Sequence, residues 1–239
     1  MTQPKPQIDL TFIKYQWSVI KHDTYNLQHF SDLGFKRLSD TTDDVASWYS
    51  SGSAIMYVRH VINEEDGVYG LGFSSDEAEE YQQLEDPNGI EITIAGHEAM
   101  GDYITECFEP VTNMISPSEL INFYSIVYET TDLQKTLQFY LEHWHWDIME
   151  EKDEYTLITS NSGRTMLKFI PGKENRIQTV YVGVKDIKKQ MAKIMTTEFE
   201  PVKTTNSDVG SAKLPMGFNE SILNNYNLTL GGRTQNYAI

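Results

Sequence analysis

The order of strand-like and helix-like stretches repeats along this chain, and the repeat limits the possible folds more than any other feature. A β-like stretch at residues 10–20 precedes a helix-like stretch that starts at Asp23, and short strand-like stretches follow at 36–39, 45–49 and 54–61. The same order starts again near residues 68, 121 and 178. Four rounds predict an α+β protein made of four tandem βαβββ modules.

The second and third rounds give the most specific expectations. In the second round, Ser75 is expected to cap an acidic helix through Leu84, and the turn at residues 86–89 precedes a strand at 90–94. Further strands are expected at 103–108 and from Met114 onward. The third round predicts a helix over 132–143, with strands at 121–129, near 148, at 155–159 and at 165–170. The fourth predicts a strand at 178–184 and a helix at 186–195.

A change in charge marks the expected domain boundary. Residues 1–120 hold 6 basic and 21 acidic residues, whereas residues 121–239 hold 13 and 14. The change coincides with the short polar segment Ser116-Pro117-Ser118, which is typical of a linker. We therefore expect an acidic first domain at residues 1–117 and a second domain at 118–239, each with two modules.

Composition excludes several classes of function. A net charge of −16 without a basic stripe argues against nucleic-acid binding. No apolar run approaches the roughly 18 residues of a membrane span. The single cysteine, Cys107, cannot form an intrachain disulfide, and the polar N-terminus lacks a signal pattern. The sequence predicts a cytoplasmic monomer or homodimer whose partner is a small molecule.

Residues 132–140 resemble a helix of the vicinal oxygen chelate superfamily, which includes glyoxalase I, bleomycin-resistance proteins and extradiol dioxygenases. In that superfamily the helix starts with Asp and ends in Phe-Tyr, as Asp132 and Phe139-Tyr140 do here. The whole chain resembles the two-domain layout of the 4-hydroxyphenylpyruvate dioxygenase family, through Leu33-Gly34-Phe35 followed by residues 44–52 and through residues 177–187. The resemblance implies two curved mixed sheets of glyoxalase-like type, each around a pocket.

The metal ligands of the resembled dioxygenases are missing at the matching positions. Those enzymes have histidines on strands similar to residues 121–123 and 177–179, where this chain has Phe123 and Thr179. A shift of two residues on the first strand gives Ser125. The glutamate ligand would come from the tail, where Glu220 is the only carboxylate after Asp208. In the first half, residues 108–116 resemble a closing strand whose glutamate is replaced by Ser116. No metal cofactor is predicted; iron or another divalent ion belongs to the alternative reading.

Alternate residues of the strands that open each module are the candidates to line a pocket. Lys168 could pair with a carboxylate-bearing ligand, although a solvated lysine is the competing interpretation. The aromatic candidates compete with simple core packing, and whether Tyr15 or Gln16 faces inward stays open. The candidate pocket residues are Tyr15, Trp17, Phe123, Ser125, Thr179, Tyr181 and Lys168.

Three functions fit these observations. The first is a small-molecule-binding protein with a degenerate metal site, which takes an aromatic or oxo-acid-like ligand. The second is a metal-dependent dioxygenase or glyoxalase-type lyase, with a divalent ion that polarises the substrate. The third is a non-catalytic interaction scaffold that pairs through exposed Trp144 and Trp146. His143 and His145 are interpreted as residues that cap and pack the helix end, and the glycines of Gly70-Leu71-Gly72 lack the pattern of a phosphate loop.

Overall fold

A computed structural model places the chain in two mixed β-sheets. Within the described residues, no helix is long and apolar enough to cross a membrane. The structure describes residues 7–18, 36–40, 46–51, 54–61, 67–76, 78, 81–96, 99–100, 120–163, 165–184, 200–202, 209–213 and 227–232.

The first sheet has seven strands in the order β2-β3-β4-β1-β5-β7-β6. The central strand β1 pairs in parallel with β4 and in antiparallel fashion with β5. The strands are β1 (Ile8–Ser18), β2 (Lys36–Asp40), β3 (Ala46–Ser51), β4 (Ala54–Val61), β5 (Gly67–Ser75), β6 (Gln82–Glu85) and β7 (Glu91–Gly96).

The second sheet has eight strands in the order β13-β14-β15-β12-β8-β11-β10-β9. One helix, α1 (Leu133–Trp144), connects its first two strands. The strands are β8 (Leu120–Thr130), β9 (Asp147–Lys152), β10 (Tyr155–Thr159), β11 (Met166–Pro171), β12 (Arg176–Val184), β13 (Glu200–Val202), β14 (Val209–Lys213) and β15 (Asn227–Gly232).

The strand order confirms the predicted modular fold. In three modules the opening strand pairs in parallel with the last strand of the same module: β1 with β4, β8 with β11, and β12 with β15. In the remaining module, β5 pairs in parallel with β7, and three strands are described. The expected helices from Asp23 and at 186–195, the strands at 103–108 and from Met114, and the boundary at 116–118 lie outside the described residues.

The helix expected from Ser75 through Leu84 is wrong. Ser75 ends β5, and Gln82–Glu85 form β6, which pairs with β7 at the edge of the sheet. Helical propensity in the acidic stretch is weaker than this strand pairing. In addition, Trp144 of α1 packs against Phe73 of β5 with ring centroids 4.5 Å apart, so a helix from the other half already covers this part of the sheet.

Helix α1 confirms the helix predicted at 132–143. The side chain of Asp132 accepts a hydrogen bond from the backbone N–H of Lys135 at 3.0 Å, which caps the start of the helix. Leu137, Tyr140 and Trp144 form its buried face, with the three- and four-residue spacing of an amphipathic helix. The helix ends where His145 adopts a left-handed conformation with φ of 53°.

Helix α1 lies between the two sheets. Tyr140 contacts Tyr128 and Phe169 of the second sheet, with ring centroids 5.9 and 5.3 Å apart. On the other side, Trp144 and Trp146 contact Phe73, and only 1% and 3% of their surfaces are exposed. The predicted scaffold function through exposed tryptophans is therefore wrong in its premise, because these side chains belong to the core between the halves.

A buried carboxylate joins the turn after β6 to α1. Asp86 accepts hydrogen bonds from the backbone N–H of Asn88 and Ile90 at 2.8 and 2.9 Å, and from the Tyr140 hydroxyl at 2.9 Å. Tyr140 in turn bonds Tyr128 at 2.7 Å. Burial raises the pKa of Asp86 above its ordinary value and raises that of both tyrosines further still. The predicted turn at 86–89 is confirmed, with Gly89 at φ of 80°.

Candidate functional site

The centre of the second sheet brings several predicted pocket residues to neighbouring positions. Thr179 of β12 pairs with Val127 of β8, and Lys168 of β11 pairs with Val127 from the other side. The next residues along these strands, Tyr128 after Val127 and Phe169 after Lys168, both contact α1. Successive side chains of a strand point to opposite faces, so the pocket candidates lie on the face away from α1. We call this the second-sheet face, which comprises Ser125, Val127, Leu157, Met166, Lys168 and Thr179.

Most of the second-sheet face is shielded from water. Ser125 and Thr179 are 4% and 8% exposed, and the apolar side chains of Val127, Leu157 and Met166 are buried beside them. Lys168 is half-buried. The face therefore combines a small apolar surface, two hydroxyls and one ammonium group, which suits recognition of a small ligand with one charged end.

An aromatic ring positions Lys168. Its ammonium lies 3.9 Å from the centroid of the Tyr155 ring. The Tyr155 hydroxyl donates to Glu150 at 2.6 Å and accepts from Lys152 at 3.0 Å. The bonds from Lys152 and then from Tyr155 lower the pKa of the Glu150 carboxyl, so this carboxylate stays ionised. Ring stacking holds the lysine, and the hydroxyl bonds two side chains of β9.

One further ion pair lies in register with this face. Arg176 of β12 pairs with Glu129 of β8 in the sheet, and its Nε donates to the Glu129 carboxylate at 2.9 Å. A second guanidinium nitrogen lies 2.7 Å from the same oxygen. This carboxylate is bound to an arginine, which competes with any metal ion for its oxygens.

The described residues do not fit the metal centre that the fold implies. A two-histidine, one-carboxylate centre needs two imidazoles and a carboxylate that converge, but the matching positions hold Phe123 on β8, or Ser125 after a shift of two residues, and Thr179 on β12. The strand parallel to β12 is β15, whose sequence has no carboxylate, and Glu220 lies outside the described residues. No three His, Cys, Asp or Glu side chains in the described part of the chain could hold a metal ion.

The two histidines at the helix end have structural roles, as interpreted from the sequence. The ring Nδ1 of His143 bonds the backbone carbonyl of Phe139 at 2.9 Å, and the two rings lie 4.4 Å apart. The backbone N–H of His145 donates to the Leu141 carbonyl at 3.0 Å. Both residues therefore close the last turn of α1.

The structure does not bring all candidates together. Tyr15 of the first sheet alternates with Lys14, and its buried side chain shares a face with Ile13, away from Lys14 and Gln16. Phe123 is separated from Ser125 by a register shift, because Tyr181 pairs with Ser125 and the next residue, Val182, pairs with Phe123. The side chains of Trp17 and Tyr181 lie outside the described set.

The first sheet has an equivalent polar face that the sequence did not single out. Lys14 of β1 forms an ion pair with Glu91 of β7, although β5 lies between these strands. Gly70 of β5 makes this possible, since a Cβ atom there would lie 2.9 Å from Cδ of Lys14. The Phe12 ring crosses Gly72 in the same way. We call this the first-sheet face, which comprises Phe12, Lys14, Gln16, Arg59, Glu91 and Thr93.

Two further features complete the first-sheet face. Arg59 donates to Gln16 at 2.7 Å, and its guanidinium lies 3.9 Å from the centroid of the Tyr69 ring. Thr93 has no exposed surface, and its hydroxyl has no hydrogen-bond partner among the residues that the structure describes. Two features of the sequence could have indicated the first-sheet face: the single lysine in the apolar stretch at residues 10–17, and the two glycines two residues apart in β5. The partner Glu91 carries no such signal.

Glu91 lies on the described strand of the first half that is parallel to β5. Residues 108–116, interpreted as that strand with Ser116 in place of a glutamate, lie outside the described residues. The strand parallel to β5 is β7. A carboxylate is therefore present on the strand parallel to β5, where it binds Lys14.

Neither a protein-family model nor a curated protein matches the sequence. Solved structures do match in fold. A xylose isomerase-like TIM barrel/4-hydroxyphenylpyruvate dioxygenase fusion protein matches with a TM-score of 0.76 at 9% identity. The match covers 98% of this chain but 50% of that protein, so the chain spans half its length.

Two further structures match over most of their length. A variant of 4-hydroxymandelate synthase from Streptomyces coelicolor has a TM-score of 0.66 at 11% identity, with 96% of this chain and 94% of that chain covered. The Mn(II)-bound glyoxalase from Novosphingobium aromaticivorans has a TM-score of 0.62 at 8% identity, with 95% and 83% covered. The predicted glyoxalase-like fold is confirmed. At these identities the similarity shows the fold alone.

Proposed function

We propose that this protein binds a small aromatic or oxo-acid ligand on the second-sheet face, without a resident metal ion. The observation that carries the proposal is the position of Lys168, which stacks on Tyr155 on the same face of the sheet as the buried hydroxyls of Ser125 and Thr179. A carboxylate on the ligand would pair with the ammonium of Lys168. The hydroxyls would bond an oxo or hydroxyl oxygen, and Val127, Leu157 and Met166 would contact the apolar part.

Residue chemistry supports binding without a metal. In the superfamily a divalent ion usually chelates two neighbouring oxygens of the ligand. The residues at the two expected histidine positions, Phe123 or the shifted Ser125 and Thr179, cannot replace imidazoles as metal ligands, but the hydroxyls of Ser125 and Thr179 can bond ligand oxygens directly. The fold similarity to a Mn(II)-bound glyoxalase supports the alternative, a metal-dependent dioxygenase or glyoxalase-type lyase.

Ligand titration with matched variants tests the proposal. Phenylpyruvate and benzoate are titrated into the wild type and Lys168→Met by calorimetry, and we expect the variant to lose about ten-fold or more in affinity, since a charge-assisted bond is lost. Lys173→Met removes an exposed lysine on the turn before β12 and is the matched control, with unchanged affinity. Equal affinities in wild type and Lys168→Met would contradict the proposal. Stoichiometric manganese or iron in purified protein would favour the metal-dependent alternative.

A further inference from the structure

The first-sheet face contains a polar cluster that the proposed function does not use. We propose that it is a second ligand site, which holds a small carboxylate between the ammonium of Lys14 and the hydroxyl of Thr93. This site lies on the other sheet and does not depend on ligand binding at Lys168.

The ammonium of Lys14 has capacity for further acceptors. The side chain is 6% exposed, and the one hydrogen bond found for it among the described residues goes to Glu91. A lysine ammonium carries three donors, and donors that are shielded from water need acceptors. A ligand with two oxygens close together can accept from both remaining directions.

The hydroxyl of Thr93 supplies the second, independent observation. Thr93 follows Glu91 by two residues on β7, so both side chains lie on the same face of the sheet, about 7 Å apart along the strand. It is fully buried and has no hydrogen-bond partner among the described residues. Buried polar side chains are nearly always hydrogen-bonded in native proteins, so an orphaned hydroxyl indicates a missing partner. An acceptor oxygen near Lys14 would be that partner.

Solvent access and the space left by Phe12 favour a small ligand. The Glu91 side chain is 38% exposed, so the ion pair extends from the buried Lys14 to the solvent boundary, and a ligand can enter beside Glu91. Arg59, beside Gln16 in the sheet, adds a second cation to the same face. Glu85 pairs with Glu91 in register but is exposed, and water screens its charge. Because the buried Phe12 ring fills the space over Gly72, the ligand must be small.

The site is tested with acetate as the probe and neutral acetamide as the isosteric control, in a buffer free of other carboxylates. Binding is followed by calorimetry and by the NMR shift of the Thr93 methyl group. We expect acetate to bind the wild type, and Thr93→Val to weaken its binding about ten-fold, because one bond to a charged group is lost. Lys14→Met is expected to abolish binding. Thr11→Val, in the same sheet, and Lys168→Met are the controls and are expected to stay within about two-fold of wild type.

A merely structural role for Thr93 would give a different result. Without probe, Thr93→Val should unfold at the same or a higher urea concentration than the wild type, since a methyl group replaces an unbonded buried hydroxyl. This variant decides the question even if Lys14→Met does not fold. Unchanged binding in Thr93→Val, equal binding of acetamide, or loss of binding only in Lys168→Met would each overturn the proposal. A crystal structure at saturating acetate with only water between Lys14 and Thr93 would do so too.

Discussion

The two sheet faces use equivalent strands but place their lysines differently. In the first sheet one row across four strands reads Tyr57, Lys14, Gly70 and Glu91. The matching row of the second sheet reads Lys168, Val127, Thr179 and Asn227. Glycine in the first row lets a long side chain cross to a carboxylate two strands away. In the second row the branched side chains of Val127 and Thr179 occupy the two central positions, and Lys168 stacks on the Tyr155 ring instead.

This difference determines what each face can still bind. Lys14 already has a carboxylate partner in the protein, so a ligand there adds to an existing ion pair. Lys168 stacks on a neutral ring with the ionised Glu150 near enough to interact with it, and a ligand carboxylate would supply a direct partner. We therefore expect an aromatic acid to bind the second-sheet face more tightly than a small carboxylate binds the first. The variants below test the structural basis of this contrast.

Gly72→Ala should have the largest effect on stability. Its Cβ atom would overlap the ring of Phe12, which is fully buried and cannot move aside without disturbing the core. We expect a loss of about 3 kcal/mol in the free energy of unfolding, measured by urea denaturation. Gly70→Ala should cost less, about 1 to 2 kcal/mol, because the contacted atom belongs to the flexible stem of Lys14.

The second sheet provides the control for this prediction. Thr179→Ala, at the position that corresponds to Gly70, removes a side chain and adds no clash, and should cost about 1 kcal/mol. If Gly72→Ala unfolds at the same urea concentration as the wild type, the ring of Phe12 does not occupy the first-sheet face as described. The difference described above, in which β1 side chains cross glycines in the first sheet and branched residues fill the same positions in the second, would then be wrong.

Asp86 tests whether the two halves unfold as one unit. Asp86→Ala removes the acceptor of two backbone N–H groups and of the Tyr140 hydroxyl, and should cost about 2 kcal/mol. If the bond between Asp86 and Tyr140 couples the two halves of the chain, the variant should unfold in two separate transitions, or in one transition at a lower urea concentration. A change confined to one half, as reported by tryptophan fluorescence against far-ultraviolet circular dichroism, would mean that the faces belong to independent domains.

The pH dependence of stability isolates the same carboxyl group. Burial raises the pKa of Asp86 in the folded protein above its ordinary value near 3.8, so the folded state binds this proton more readily than the unfolded state. The resulting stabilisation is full below the ordinary pKa and is lost as pH rises through the raised pKa. Asp86→Asn cannot ionise. Urea denaturation between about pH 3.5 and 8 should show the free energy of unfolding of Asp86→Asn rising relative to that of the wild type. If the two free energies change in parallel with pH, the Asp86 carboxyl is not the cause of the pH dependence.

Local patterns predicted much of the fold and part of the candidate site. Strand alternation selected Ser125 and Thr179 as residues that face a pocket, and Lys168 was a candidate with a solvated lysine as the competing interpretation; the structure places all three on one face of the second sheet. The helix at 132–143 was predictable because Asp132 supplies a cap and the apolar residues follow a helical spacing. These features depend on residues close together in sequence, where spacing alone determines which face a side chain occupies.

Contacts between distant segments were not predictable. Lys14 and Glu91 are 77 residues apart and meet only because β5 lies between β1 and β7 with glycine at the crossing point. Trp144 and Trp146 looked suited to an exposed surface, but Phe73 of the other half buries them. The helix expected at 75–84 failed for the same reason, since pairing with β7 determined its structure. Each error concerns a partner that local sequence does not identify.

The smallest expected effect concerns how Lys168 is held. Tyr155→Phe removes the hydroxyl that bonds Glu150 and Lys152 at the sheet edge but keeps the ring under Lys168. We expect an unchanged urea midpoint and an affinity for phenylpyruvate within about two-fold of wild type, because bonds among solvated charges contribute little. Tyr155→Leu removes the ring and should weaken binding about three-fold. If Tyr155→Phe weakens binding as much as Tyr155→Leu, the Glu150 carboxylate positions Lys168 through the hydroxyl, and the two faces would share carboxylate anchoring of their lysines.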